Sequence, residues 1–126
     1  MAKADYDLKL NQLHEAGFFR SIEINRGIEK ESLRVNSLGY ISANDHPKSL
    51  GSPLTNPSIT TDFAESLVEL VTPTFTSVDD LYEHLLKLHI FVSRNLDKET
   101  LWPYSMPPKI EDEDSIKLAK YSDTNS

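Results

Sequence analysis

The chain has 126 residues, enough for one domain, and 38% of them are apolar, enough to build a core. Twenty acidic against thirteen basic residues give a net charge of -7. That balance argues against a general nucleic-acid binder, which needs a basic footprint, and leaves cationic partners such as metal ions open. With no cysteine, a disulfide framework, a thiolate zinc site and a cysteine nucleophile are all excluded within this chain. The first twelve residues mix charged with isolated apolar side chains and lack the apolar run of a secretory signal. No stretch approaches the roughly 20 apolar residues of a membrane span, so the cytoplasm is the expected location.

In chain order, residues 5–16 are expected to form a short helix, because Tyr6, Leu10, Leu13 and Ala16 recur on one side of a 3.6-residue period. Gly17 stands where a helix stop belongs, and Phe18 and Phe19 are expected to pack into the core. Residues 21–35 have strand character, with Gly27 marking a bulge or a close backbone approach. Asn36-Ser37-Leu38-Gly39 is a turn signal, and Tyr40-Ile41 would begin a return strand. Residues 44–57, rich in Asn, Asp, Pro, Gly and Ser, should be irregular. Residues 66–72 fit a buried strand stopped by Pro73, with a helix over residues 62–70 as the competing assignment. Ser77, with Asp80 three residues on, caps the clearest helix, whose apolar stripe is Val78, Leu81, Leu85, Leu88 and Val92. Trp102-Pro103 and Pro107-Pro108 enforce extended backbone, and residues 115–121 allow a final short helix. No linker divides the chain, and helices interspersed with hairpin-like strands define an α+β class.

Three carboxylates draw attention on chemical grounds. In Glu29-Lys30-Glu31 the acids are two apart, so on a strand they share a face. Like charges that close repel unless a cation lies between them, and a hard divalent ion with oxygen ligands would resolve the conflict. A solvated acidic strand face is the plain alternative. Glu69 sits inside Leu67-Val68-Glu69-Leu70-Val71, where full burial would cost several kcal/mol unless the group is paired, protonated or metal-bound. The plain alternatives are a strand with one wet face or a salt bridge to Arg26 or Arg34. Asp62 follows two threonines with Glu65 three residues on, a pattern equally suited to a helix cap. His14, His46, His84 and His89 have no metal-site spacing. Only four glycines occur, and none forms a phosphate-cradling loop.

Four ordered segments go further. Arg26-Gly-Ile-Glu-Lys-Glu-Ser-Leu-Arg-Val35, Leu50-Gly-Ser-Pro-Leu-Thr55, Ile59-Thr-Thr-Asp-Phe-Ala-Glu-Ser-Leu-Val-Glu-Leu-Val-Thr-Pro73 and Leu101-Trp-Pro-Tyr-Ser-Met-Pro107 resemble the amino-terminal portion of the proteobacterial glutamate–cysteine ligases. The resemblance implies a glutamine-synthetase-like fold of which this chain is a single incomplete domain, holding part of an antiparallel sheet with flanking helices. It implies an ATP-dependent ligation of the glutamate γ-carboxylate to cysteine through an acyl phosphate, the first step of glutathione synthesis. ATP is then a co-substrate, and Mg2+ (or Mn2+) offsets the charge of the transferring phosphoryl group. Carried over by position, Glu29, Glu31 and Glu69 fall on metal-binding acids, Asp62 on an active-site acid and Phe63 beside the cysteine side chain. Family members are several times longer, and their later residues that bind ATP and glutamate have no counterpart here. The remainder of a full-length chain is thus an expected partner, and this polypeptide alone is expected to be inactive. The alternatives are a truncated, non-catalytic paralogue acting as a binding module, and a related carboxylate–amine ligase with another amine.

Overall fold

A computed structural model describes residues 3–120. Its centre is a four-stranded, wholly antiparallel sheet in the order β2-β3-β1-β4. The strands are β1 (Glu29–Asn36), β2 (Ile59–Asp62), β3 (Ala64–Val71) and β4 (Glu99–Leu101). Helix α1 (Lys3–Glu15) precedes the sheet, and helix α2 (Val78–Asn95) runs between β3 and β4. The α+β class with an antiparallel sheet is therefore the observed architecture.

Residues 66–72 do form a strand, which excludes the competing helix over residues 62–70. Val68 and Leu70 alternate with Leu67, Glu69 and Val71, so one face of β3 is covered and the other half-open. α2 supplies the cover. Its cap is the expected one, the Ser77 hydroxyl accepting from the Asp80 amide at 3.2 Å. Leu81, Leu85, Leu88 and Val92 turn inward, whereas Val78, first in the predicted stripe, is largely exposed. Val92 and Leu96 meet Leu50, Ile59, Val68 and Leu70 in the main core. Truncating any one of these to alanine costs about 2–5 kcal/mol for a Leu or Ile side chain, which fixes α2 to that face.

The amino-terminal segment departs from expectation. α1 ends on time, Gly17 taking a left-handed φ of 69°, but none of its residues is buried. Phe18 and Phe19 do not enter the core. They are 48% and 47% exposed and pack edge to face on each other at 5.7 Å. Strand character begins at Glu29, not at residue 21: Ile22 and Ile24 are exposed, and only Arg26 makes a bridge, to Phe75. Alternation alone cannot make a strand where no partner lies alongside. A Cβ on Gly27 would meet its nearest atom, the Thr72 carbonyl oxygen, at an ordinary 3.5 Å, so no close approach demands the glycine, although the register shifts by one residue across it, between Glu29–Val71 and Arg26–Phe75. The turn at residues 36–39 forms, with Gly39 at φ 80°, but the return is one bridge, Val35 to Ile41. Residues 44–57 are irregular apart from a single 3-10 turn, Lys48–Leu50. Near the carboxyl end a 3-10 turn, Glu113–Ser115, replaces the predicted helix, of which residue 121 lies outside the described residues.

Candidate active site

β1 and β3 pair so that Glu29 faces Val71, Glu31 faces Glu69 and Leu33 faces Leu67. With a side-chain period of two, Glu29, Glu31 and Glu69 share the sheet face that α2 does not cover. Glu31 and Glu69 are direct cross-strand partners, whose Cβ atoms stand roughly 4.5–5.5 Å apart in such pairs. β2 adds its end to the same neighbourhood: Thr60 pairs with Glu69, and after an irregularity Asp62 pairs with Ala64.

The electrostatics follow from this crowding. Partial burial pushes the Glu69 carboxyl above the usual range, and the charges of Glu29, Glu31 and Asp62 push it further. Glu69 is half-buried and Glu29 and Glu31 are exposed, so the strand with one wet face, and not the fully buried strand, describes this region. The arginine partners offered by the sequence are engaged elsewhere. Arg26 donates to the carbonyls of Ile24 and Thr76, and Arg34 points to the opposite face of the sheet. Among the described residues no cation pairs with Glu29, Glu31 or Glu69.

Asp62 is no helix cap. It ends β2, and its Oδ1 accepts from the Phe63 amide at 2.7 Å, shaping the β2–β3 turn. Phe63, at the tip of that turn, is 72% exposed. Its backbone carbonyl accepts from the amide of Ala119, so the carboxyl-terminal segment runs past the turn.

Sequence reasoning missed two features beside these acids. A cleft of about 340 Å³ adjoins Glu31 and is walled by Leu33, Leu67, Trp102, Tyr104 and Met106. It is held by the Trp102 amide donating to the Leu33 carbonyl and its indole donating to the Met106 carbonyl at 2.7 Å. The Trp-Pro-Tyr sequence signalled extended backbone but not the strand it would lie against. The second is a polar cluster behind the acids. The side chain of Glu65, read only as a capping partner of Asp62, accepts from the amides of His46 and Lys120, both at 2.9 Å. Arg34 and Glu99 form a buried ion pair at 2.5 Å. An arginine on the core-facing side of an amphipathic strand was the available signal.

The donor chemistry suits a hard divalent cation: carboxylate oxygens only, like-charged, cross-strand and unneutralised. Among the described residues no three His, Asp or Glu side chains have closed to within joint reach of one ion. The fit therefore rests on the Glu31–Glu69 pair and the same-face Glu29, whose mutual repulsion a divalent ion relieves.

The fold and the site together define an α+β protein whose antiparallel sheet carries carboxylates on its open face. The particular family comes from comparison. A family model described as glutamate-cysteine ligase matches residues 10–126, and the chain belongs to that family. It is 50% identical over 104 residues to a glutamate–cysteine ligase of Hahella chejuensis, covering 82% of this chain and 20% of the relative. To that of Yersinia pseudotuberculosis it is 48% identical over 102 residues, 81% of this chain and 20% of the relative. Among solved structures, a Francisella tularensis glutamate–cysteine ligase in complex with AMP superposes with a TM-score of 0.75 at 38% identity, covering 79% of this chain and 20% of that one. A bifunctional glutathione synthetase from Pasteurella multocida gives 0.78 at 36% identity, covering 86% of this chain and 15% of that one. The chain thus spans about a fifth of the length of the relatives it matches. No helix among the described residues is long and apolar enough to cross a membrane.

Proposed function

We propose that this chain supplies the metal-binding sheet of a glutamate–cysteine ligase, part of a larger catalytic domain that joins the γ-carboxylate of glutamate to cysteine at the expense of ATP. The observation that carries the reading is the cross-strand pairing of Glu31 with Glu69, in a chain that matches the ligase family over residues 10–126. Glu29, Glu31 and Glu69 would hold Mg2+ or Mn2+, which when bound supplies charge neutralisation for a transferring phosphoryl group. Asp62 lies at the edge of the acid cluster, within electrostatic reach of Glu69, and is suited to orient a cationic amine. Phe63 presents an exposed ring one residue further, a surface for a small thiol side chain. The AMP bound by the Francisella enzyme supports a nucleotide as co-substrate. An enzyme using ATP with glutamate works in the cytoplasm. The remaining four-fifths of a full-length ligase would cover the apolar side chains left open on α1 and around Phe18 and Phe19, and would contribute the other substrate contacts.

The test is a chimaera in which residues 10–126 replace the matching stretch of the Hahella enzyme, assayed for ADP release with glutamate and cysteine. Cysteine-dependent turnover within about tenfold of the parent is expected, together with its loss on Glu69→Gln. A folded chimaera that releases ADP without needing cysteine points to a different amine. One that releases none supports a non-catalytic paralogue. Unchanged turnover of the Glu69→Gln chimaera at saturating Mg2+ removes the metal assignment.

A further inference from the structure

Glu31 and Glu69 oppose each other directly, and like charges in that position weaken strand pairing. The β1–β3 register that creates the site is therefore disfavoured by the site itself whenever no cation is bound. A slip of two residues in one direction would set Glu31 against Val71 and Leu33 against Glu69, removing the repulsion without changing faces; in the other direction it would only put Glu29 in place of Glu31 opposite Glu69. A slip of one would send Glu29 and Glu31 to the face opposite Glu69. Something other than the acids must fix the register.

We infer that Arg34 is a positioning residue, a clamp that holds β1 against β3 and β4 so that Glu31 and Glu69 meet. The β1–β3 ladder ends at the pair Leu33–Leu67, one residue before Arg34. There the guanidinium takes over. It is fully buried, and its Nη2 donates to the carbonyl of Glu65 on β3 at 2.9 Å and to the carbonyl of Asn44 at 2.8 Å. Its Nη1 donates to Glu99 Oε2 on β4 at 2.5 Å. The other carboxylate oxygen of Glu99 accepts from the Ser42 hydroxyl and from Asn44 Nδ2 at 2.7 Å. One side chain thus bonds both neighbouring strands and the loop that follows β1. Buried charge-assisted bonds are stronger than a cross-strand carboxylate repulsion, so the clamp outweighs the acids. Its planar fork cannot be copied by lysine, which reaches these acceptors only as a single point. Arg34 touches no reacting group; it acts through the strand that carries Glu31 three residues earlier.

This inference rests on the metal reading but is tested separately from it. The experiment compares the 126-residue chain with its Arg34→Lys and Glu99→Gln forms, and with Val92→Ala as a control that weakens the same covered face without touching the clamp. Two measurements are made at a temperature where circular dichroism shows each form folded: amide hydrogen exchange of β1 and β3 by NMR, and Mn2+ affinity by electron paramagnetic resonance. Expected are faster exchange concentrated in the β1–β3 ladder and a Mn2+ affinity about ten- to a hundredfold weaker in both clamp variants, the range for residues that orient metal ligands. Val92→Ala should keep the parental affinity. If Arg34→Lys fails to fold, the milder Glu99→Gln form decides. Clamp variants whose exchange pattern and affinity match Val92→Ala overturn the inference. A parent chain that binds no Mn2+ overturns the metal reading, while the exchange pattern still decides the clamp.

Discussion

The two faces of one sheet handle charge in opposite ways. On the covered face, Arg34 and Glu99 are paired against the loop that follows β1, and every carboxylate oxygen of Glu99 has a partner. On the open face, Glu29, Glu31 and Glu69 share one side of the sheet with no counter-ion among the described residues. The same strand serves both, because β1 alternates Glu29 and Glu31 on one side with Ser32 and Arg34 on the other. Buried charges must be paired to offset their desolvation, whereas like charges facing each other at a half-open face are partly relieved by solvent.

Breaking the covered side should have the largest effect. Replacing Glu99 with alanine leaves the Arg34 guanidinium buried and unpaired, and should cost about 3–5 kcal/mol in urea unfolding. A cost below about 1 kcal/mol would mean that solvent reaches the pair and that the faces are less different than described. Glu69→Gln on the open side should do the reverse. Removing the repulsion stabilises the metal-free chain by about 0.2–1 kcal/mol, and the increment should disappear when saturating Mg2+ stabilises the parent but not the variant. Destabilisation by this change would place Glu69 in a structural pair.

Lowering the pH sharpens the contrast. Partial burial, with the neighbouring acids, raises the Glu69 carboxyl, so the folded chain binds that proton more readily than the unfolded chain. Its destabilising influence is present above its folded pKa and fades as pH falls through it. For Glu99, burial alone would raise the carboxyl, but hydrogen bonds from Ser42 and Asn44 and the charge of Arg34 outweigh it and hold it below the usual range. Its contribution is present above the unfolded pKa and is lost as pH falls through the lower, folded one. In an acid titration of stability, the benefit of Glu69→Gln should vanish first and the deficit of Glu99→Gln only at lower pH. The opposite order would contradict the assignment. The smallest effect belongs to the amino-terminal segment: Phe19→Ser should change stability by no more than about 0.5 kcal/mol, since the ring lies outside the core. A larger loss would show that the segment packs on the sheet in solution.

Much of the fold was legible. The period of α2, its Ser77 cap, the Gly17 stop and the alternation in β3 each follow from local rules, because the information lies within a few residues. The same-face placement of Glu29 and Glu31 was legible for that reason. The errors came where local pattern needs a distant partner. Ile22 and Ile24 alternate like a strand but no strand among the described residues lies beside them, and Phe18 and Phe19 are apolar but no described element covers them.

The sequence by itself determined the kinds of element, the family and which acids were chemically out of place, since periodicity, order of motifs and burial cost are properties of neighbouring residues. Only the tertiary structure decided that Glu31 meets Glu69, that Arg34 turns away from both, and that Trp102 walls a cleft beside them. Each is a matter of strand register and crossing over dozens of residues, which backbone pairing and the covering of one face settle together.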